Sequence, residues 1–270
     1  MLRIADTRTG RLAEIPPGHR HLLRICVHLP GIDAATDTTS APAIGAAHLR
    51  APLVGDVLAR AAELHGLQAV TVLTAPDLPD ERARALDRAM GALGIHPPAA
   101  VDAHDATGSP GAPADVHLFA HGTGSDTADA GDGARIDVGG VNAPIAIDLG
   151  LEGADPLAVR MLLLGHAHSV PVTVTLAALA ETGRFLGHWR QQVADWAREP
   201  SRPIPADLLQ RAYAALDDNL GVPAVLELLV GLARDSDVPG GAKFETFAHL
   251  DRVLGLDLAR EVGRQPKETR

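Results

Sequence analysis

The stretch GAAHLRAPLVGDVLARAAELHGLQAVTVL, residues 45–73, decides the fold. It opens on small residues and continues with Leu53, Val54, Val57, Leu58, Ala61 and Leu64 at three- and four-residue spacing, stopping at Gly66. That spacing predicts an amphipathic helix, and a glycine just beyond the last turn is a suitable terminator. LQAVTVL, which follows, is short, apolar and rich in valine, the pattern of a buried strand. Upstream, LLRICVHL (22–29), bounded by Pro30 and Gly31, reads as another strand. Downstream, LPDERARALDRAMGALG (78–94) reads as a second helix, with Pro79 near its start and Gly94 at its end. Strand, helix, strand, helix at this spacing implies right-handed parallel crossovers, and hence an α/β sheet.

Residues 95–134 are dense in Pro, Gly, Ala and Asp around one apolar island, DVHLFAHG (115–122), expected to be a strand among loops. From Asp155 onward apolar residues recur at helical spacing in segments joined by short loops, the texture of a bundle. The expected organisation is a sheet domain over 1–150 and a helical bundle over 151–270. Trp189 and Trp196, seven apart, are expected to form a buried stripe on one of its helices, and His166 and His168 to lie at the domain junction. GTGSD (122–126) lacks a phosphate-loop lysine and reads as a loop.

The composition narrows the function. Hydrophobic residues make up 46% but aromatics only 3%, so the core must be built from Ala, Leu and Val. The formal charge is -10, and lysine occurs only at Lys243 and Lys267, which excludes a broad basic face for nucleic acid. A single cysteine, Cys26, excludes an internal disulfide. With no long apolar opening segment and no apolar run near ~20 residues, the expectation is a cytoplasmic protein that does not enter a membrane.

Four segments, in order, carry a resemblance. LRIADTRTGRLAEIPPG (2–18) with LRICVHLPG (23–31), then the helix and strand of 46–73, then DPLAVRMLLLGHAHSVPV (155–172), and finally ALDDNLGVPAVLELL (215–229) resemble cysteinyl-tRNA synthetases. They also resemble the related mycothiol-pathway ligase that joins cysteine to glucosaminyl-inositol. The resemblance covers roughly residues 1–100 and 150–235. It implies a Rossmann-like sheet of the class I synthetase type followed by an α-helical bundle.

The departures from that family are as informative as the matches. Its His-Ile-Gly-His signature, which meets ATP phosphates at a helix start, corresponds here to Gly45, Ala46, Ala47 and His48, so only the last histidine remains. Its lysine-containing phosphate loop corresponds to GGVNAPIAIDLG (139–150), which has no lysine. A lost oxyanion-type donor costs about 3 kcal/mol of transition-state stabilisation, so ordinary adenylate formation should be crippled. In the family a zinc ion is held by a cysteine just after the first strand. That position holds His28, with Cys26 two residues earlier and His117 and His121 as the other weak metal candidates, so no tightly held zinc is expected.

His48 reads either as a phosphate or carboxylate contact or as a solvent-facing turn residue. Asp217 and Asp218 look like a carboxylate pair, but on a bundle helix a structural role is expected. His28, Asp33, Gly45 and His48 are the expected ligand-binding residues, and no catalytic residue is assigned. The leading expectation is a divergent relative that keeps a pocket for an amino-acid-like small molecule and does not charge tRNA. The alternative is an ATP- and magnesium-dependent ligase activating a small amino acid for an amine acceptor. A third reading is an interaction module that binds a protein partner through the bundle.

Overall fold

The structure is a computed structural model that describes residues 1–15, 21–29, 44–75, 79–102, 113–121, 123, 133–143 and 155–264. The stretch that decides the fold forms helix α1 (Ala46–Leu64) and strand β4 (Gln68–Thr74). The preceding strand, β3 (Leu22–His28), pairs in parallel with β4 along its whole length. Helix α2 (Asp80–Ala92) leads to β5 (Ala100–Asp102), which adds to the outer side of β4. The apolar island forms β6 (Val116–Phe119), on the other side of β3, and β7 (Ala134–Asp137) follows it. The result is a five-stranded parallel sheet in the order β5-β4-β3-β6-β7, the Rossmann-like architecture expected.

Helix α1 lies on one face of this sheet. A Cβ built on Gly55 would sit 3.1 Å from Val27 Cγ2 and 3.3 Å from Leu118 Cδ1, so the helix backbone rests directly on the strands. Pro52, inside α1, has no N–H, and the carbonyl of His48 therefore loses its helical partner. Because side chains alternate along a strand, Ile25, Val27 and Leu118 face α1, and Cys26, His28, His117 and Phe119 face the opposite way.

The chain opens with an antiparallel hairpin, β1 (Arg3–Asp6) and β2 (Arg11–Glu14), which the sequence pattern does not announce. The hairpin is bound at two places. Thr7 N donates to Arg135 O on β7 at 2.8 Å, and Ala5 N donates to Asn219 Oδ1 at 2.9 Å. A short parallel pair, β8 (Val141–Asn142) and β9 (Val172–Thr173), joins the segment after the sheet to the segment after α3 (Pro156–Leu164).

The helices that follow are α4 (Leu176–Trp196), α5 (Ala206–Asp217), α6 (Val222–Arg234) and α7 (Gly240–Leu254). Trp189 is buried, Trp196 half-buried, and both meet Phe247 of α7 edge-on, with ring centroids 5.2 and 5.1 Å away. Apolar packing is continuous from Leu2 to Leu258 and joins the sheet to the helices. Within it lies a buried ionic node. Arg160 donates to Asp56 Oδ2 at 2.7 Å and to the carbonyls of Leu93 and Leu254, while Arg60 and His96 complete the carboxylate. Burial opposes the charge on Asp56, but Arg160 and Arg60 outweigh it and hold its carboxyl below the usual range. Arg160 carries α1, α3 and the end of α7 on one guanidinium, which is why Gly255 must be a glycine: its Cβ would lie 2.8 Å from Arg160 Nη2.

Candidate functional site

The sheet face turned away from α1 gathers buried polar side chains. Parallel register sets Cys26 opposite His117, and Thr74 and Phe119 on either side of His28. All five side chains are buried. His28 Nε2 and His117 Nδ1 are 3.0 Å apart and share one hydrogen, and the Cys26 thiol lies 3.4 Å from Thr74 Oγ1. His28 stacks on Phe119 at 4.3 Å between centroids, with the ring planes nearly parallel at 3°, and the Arg135 guanidinium lies 4.1 Å from the centroid of the same phenyl ring.

Burial pushes His28 down to about 4, with His117 and Arg135 adding to the shift. Burial lowers His117 as well, helped by Arg8. Both imidazoles are therefore neutral near pH 7 and keep lone pairs for a ligand. Arg8 is fixed by Asp6, which it meets through Nη2 at 2.8 Å, and by a 2.6 Å bond to the carbonyl of Gly133.

Cys26, His28 and His117 together are also a metal-ligand set: one ligand atom from each lies within 4.8 Å of the others. A thiol with two imidazoles is a donor set that suits zinc. The sequence pairs His117 with His121 on one strand, and this is corrected by the structure. Strand β6 ends at Phe119, and His121 is exposed beyond it, packed against Gly140. The third donor is Cys26, which sequence reasoning set aside as two residues out of place.

The helix start is built differently. Gly45 precedes α1, and its N–H donates to His48 Nδ1 at 3.3 Å while His48 N donates back to Gly45 O at 3.0 Å. His48 thus spends one ring nitrogen on capping its own helix, and only Nε2 is left to meet a ligand. Burial lowers its pKa. The crossover from β3 places this helix start at the carboxyl edge of the sheet, where His28 ends its strand. Asp33 and most of GTGSD lie outside the described residues.

Among the described residues, no lysine lies at the helix start to meet an ATP polyphosphate. Arg50, the first cation of α1, turns away to donate to the carbonyls of Gly139, Gly140 and Ala167 at 2.9, 3.0 and 2.9 Å. Lys243, the one lysine among the described residues, is buried against Trp196 and the carbonyl of Ala233. Asp217 meets His65 at 2.6 Å and Asp218 lies 3.6 Å from Arg3, so the pair ties the bundle to the rest of the chain. His168 is buried at the junction, with Nδ1 unpartnered, while His166 is exposed.

No protein-family model matches the chain. Two curated proteins do. One is the L-cysteine:1D-myo-inositol 2-amino-2-deoxy-alpha-D-glucopyranoside ligase of Parafrankia sp. (strain EAN1pec), 34% identical over 115 residues, or 39% of this chain. The ligase of the same name from Rhodococcus jostii (strain RHA1) is 37% identical over 115 residues, 40% of this chain. The chain spans only about a quarter of the length of these relatives, 25% and 26%. Among the described residues no helix is long and apolar enough to cross a membrane. Sequence motifs, parallel sheet and comparison agree that this chain is similar to the class I synthetase-like cysteine ligases.

Proposed function

We propose that the chain is a divergent relative of these ligases that binds a small amino-acid-like molecule at the carboxyl edge of its sheet and does not charge tRNA. The observation that carries this reading is the buried polar face at the end of β3 and β6. Apolar strands seldom bury a thiol, two imidazoles and a hydroxyl side by side without a use for them, and the carboxyl edge of a parallel sheet is where such folds bind ligands. Arg8 and Arg135, beside the neutral histidines, favour a carboxylate. His28, Gly45 and His48 are the proposed ligand residues, joined by Asp33 on sequence grounds. The relatives' names make L-cysteine the first ligand to test. A sheet unit ending near residue 150 and a cytoplasmic setting are part of the same proposal.

The relatives are ligases, which favours a second reading: ATP-dependent activation of a small amino acid, with ATP and magnesium as co-substrates. Two assays on one preparation separate the readings. Stabilisation of the protein by L-cysteine without pyrophosphate exchange is expected. Cysteine-dependent exchange would instead establish the ligase, and no response in either assay would leave a protein-binding module through the bundle.

A further inference from the structure

We propose that the junction between sheet and bundle holds one small monovalent anion, of the size and charge of chloride, between the Arg50 guanidinium and the His168 imidazole. These two side chains and the exposed His166 are the polar lining of a cavity of about 20 Å³. Its other walls are leucine and valine side chains from α1, α3 and the turn into α6. A space of that size admits about one water molecule or one monatomic ion.

Two groups there lack what burial demands. The buried Arg160 and Arg190 each meet a carboxylate, Asp56 and Asp155 respectively. Arg50 is only 2% exposed and meets none among the described residues. Its terminal nitrogens donate to the carbonyls of Gly139, Gly140 and Ala167, and its Nε–H donates to no described residue. The guanidinium therefore keeps a full charge in the interior with no counter-charge. His168 follows Ala167 in the chain and is buried with Nδ1 unpartnered. Burial and the nearby Arg50 hold this histidine at about 4, so near pH 7 the imidazole is neutral and has one N–H to donate. A water molecule could satisfy the imidazole but would leave the charge of Arg50 as it is. An anion does both, and apolar walls strengthen the attraction.

Anion and proton are linked. An anion beside His168 favours the charged imidazole, so the bound anion raises its pKa and binding tightens as pH falls. Arg50 and His166 are the other titratable groups of the lining, and no acid among the lining residues opposes the anion.

The test uses halide and no amino acid, so it succeeds or fails apart from the reading of the sheet edge. The full chain is melted at pH 6 in sodium gluconate that is replaced stepwise by sodium chloride at constant ionic strength. A saturable rise in thermal midpoint is expected, about 3–5 °C at roughly tenfold excess over the dissociation constant, with a smaller rise at pH 8. Bromide should act as chloride does. His168→Leu should abolish the rise, whereas His168→Gln, which keeps a donor but does not titrate, should retain it and lose its pH dependence. No rise, or one that grows without saturating, would overturn the proposal in the unsubstituted protein alone. An equal rise in His168→Leu would overturn it as well.

Discussion

At the scale of single residues, buried charge decides what each substitution does. Arg160 and Asp56 are 0% and 1% exposed as side chains and lie 2.7 Å apart, so removing one leaves the other unpaired in the core. Arg160→Met should destabilise the fold by about 3–5 kcal/mol in urea unfolding near pH 7. A loss below about 1 kcal/mol would show that the node is open to water. Histidines buried in the neutral form act in the same pH direction as paired carboxylates, because in both the native pKa lies below that of the unfolded chain. Burial, with Arg50 nearby, holds His168 at about 4. Its native value lies below that of the unfolded chain, so its contribution is complete above pH ~6.5 and is lost as pH falls toward ~4. Between pH 7 and pH 5 the loss is about 2 kcal/mol, with His28 adding a similar amount. His168→Leu should remove roughly half of this combined fall, measured by urea unfolding at the two pH values. An unchanged slope would mean that His168 titrates normally in the folded protein.

At the scale of elements, the close seat of α1 on the sheet sets a limit on volume. Gly55 has only 3.1–3.3 Å between its would-be Cβ and Val27 or Leu118. Gly55→Leu should therefore cost about 1–3 kcal/mol through overpacking, even though leucine is the better helix former. A thermal midpoint equal to or above that of the parent protein would show that the helix can lift without penalty. The α1–β4 unit was legible because nineteen helical residues and seven strand residues carry full periods of their patterns. The hairpin β1–β2 and strands β5 and β7 were not, since three or four residues hold too little pattern, and the charged Arg135 and Asp137 on β7 break the apolar run that would mark a buried strand. The site was half legible for a related reason. His28 at a strand end can be read directly, but its pairing with His117, 89 residues away, depends on β6 lying beside β3 rather than beside β5, a strand order that no local pattern encodes.

At the scale of the whole molecule, charge and missing phosphate contacts point the same way. A net charge of -10, with Arg50 committed to carbonyls and Lys243 buried, leaves little to attract a polyanion. Charging of cysteine tRNA should stay at background in a standard acylation assay, and any tRNA-dependent signal above it would contradict the reading. ATP with magnesium should bind more weakly than a dissociation constant of ~10 µM, about -7 kcal/mol, by calorimetry. The central claim is that the polar face at the end of β3 receives an amino-acid-like ligand. Isothermal titration of the purified chain with L-cysteine, repeated with L-serine and L-alanine and with the His28→Ala protein, tests it most directly. The account predicts saturable, one-to-one binding of at least one of these amino acids that weakens at least tenfold in His28→Ala. Absence of binding by all three, or equal binding with and without the His28 imidazole, would contradict it.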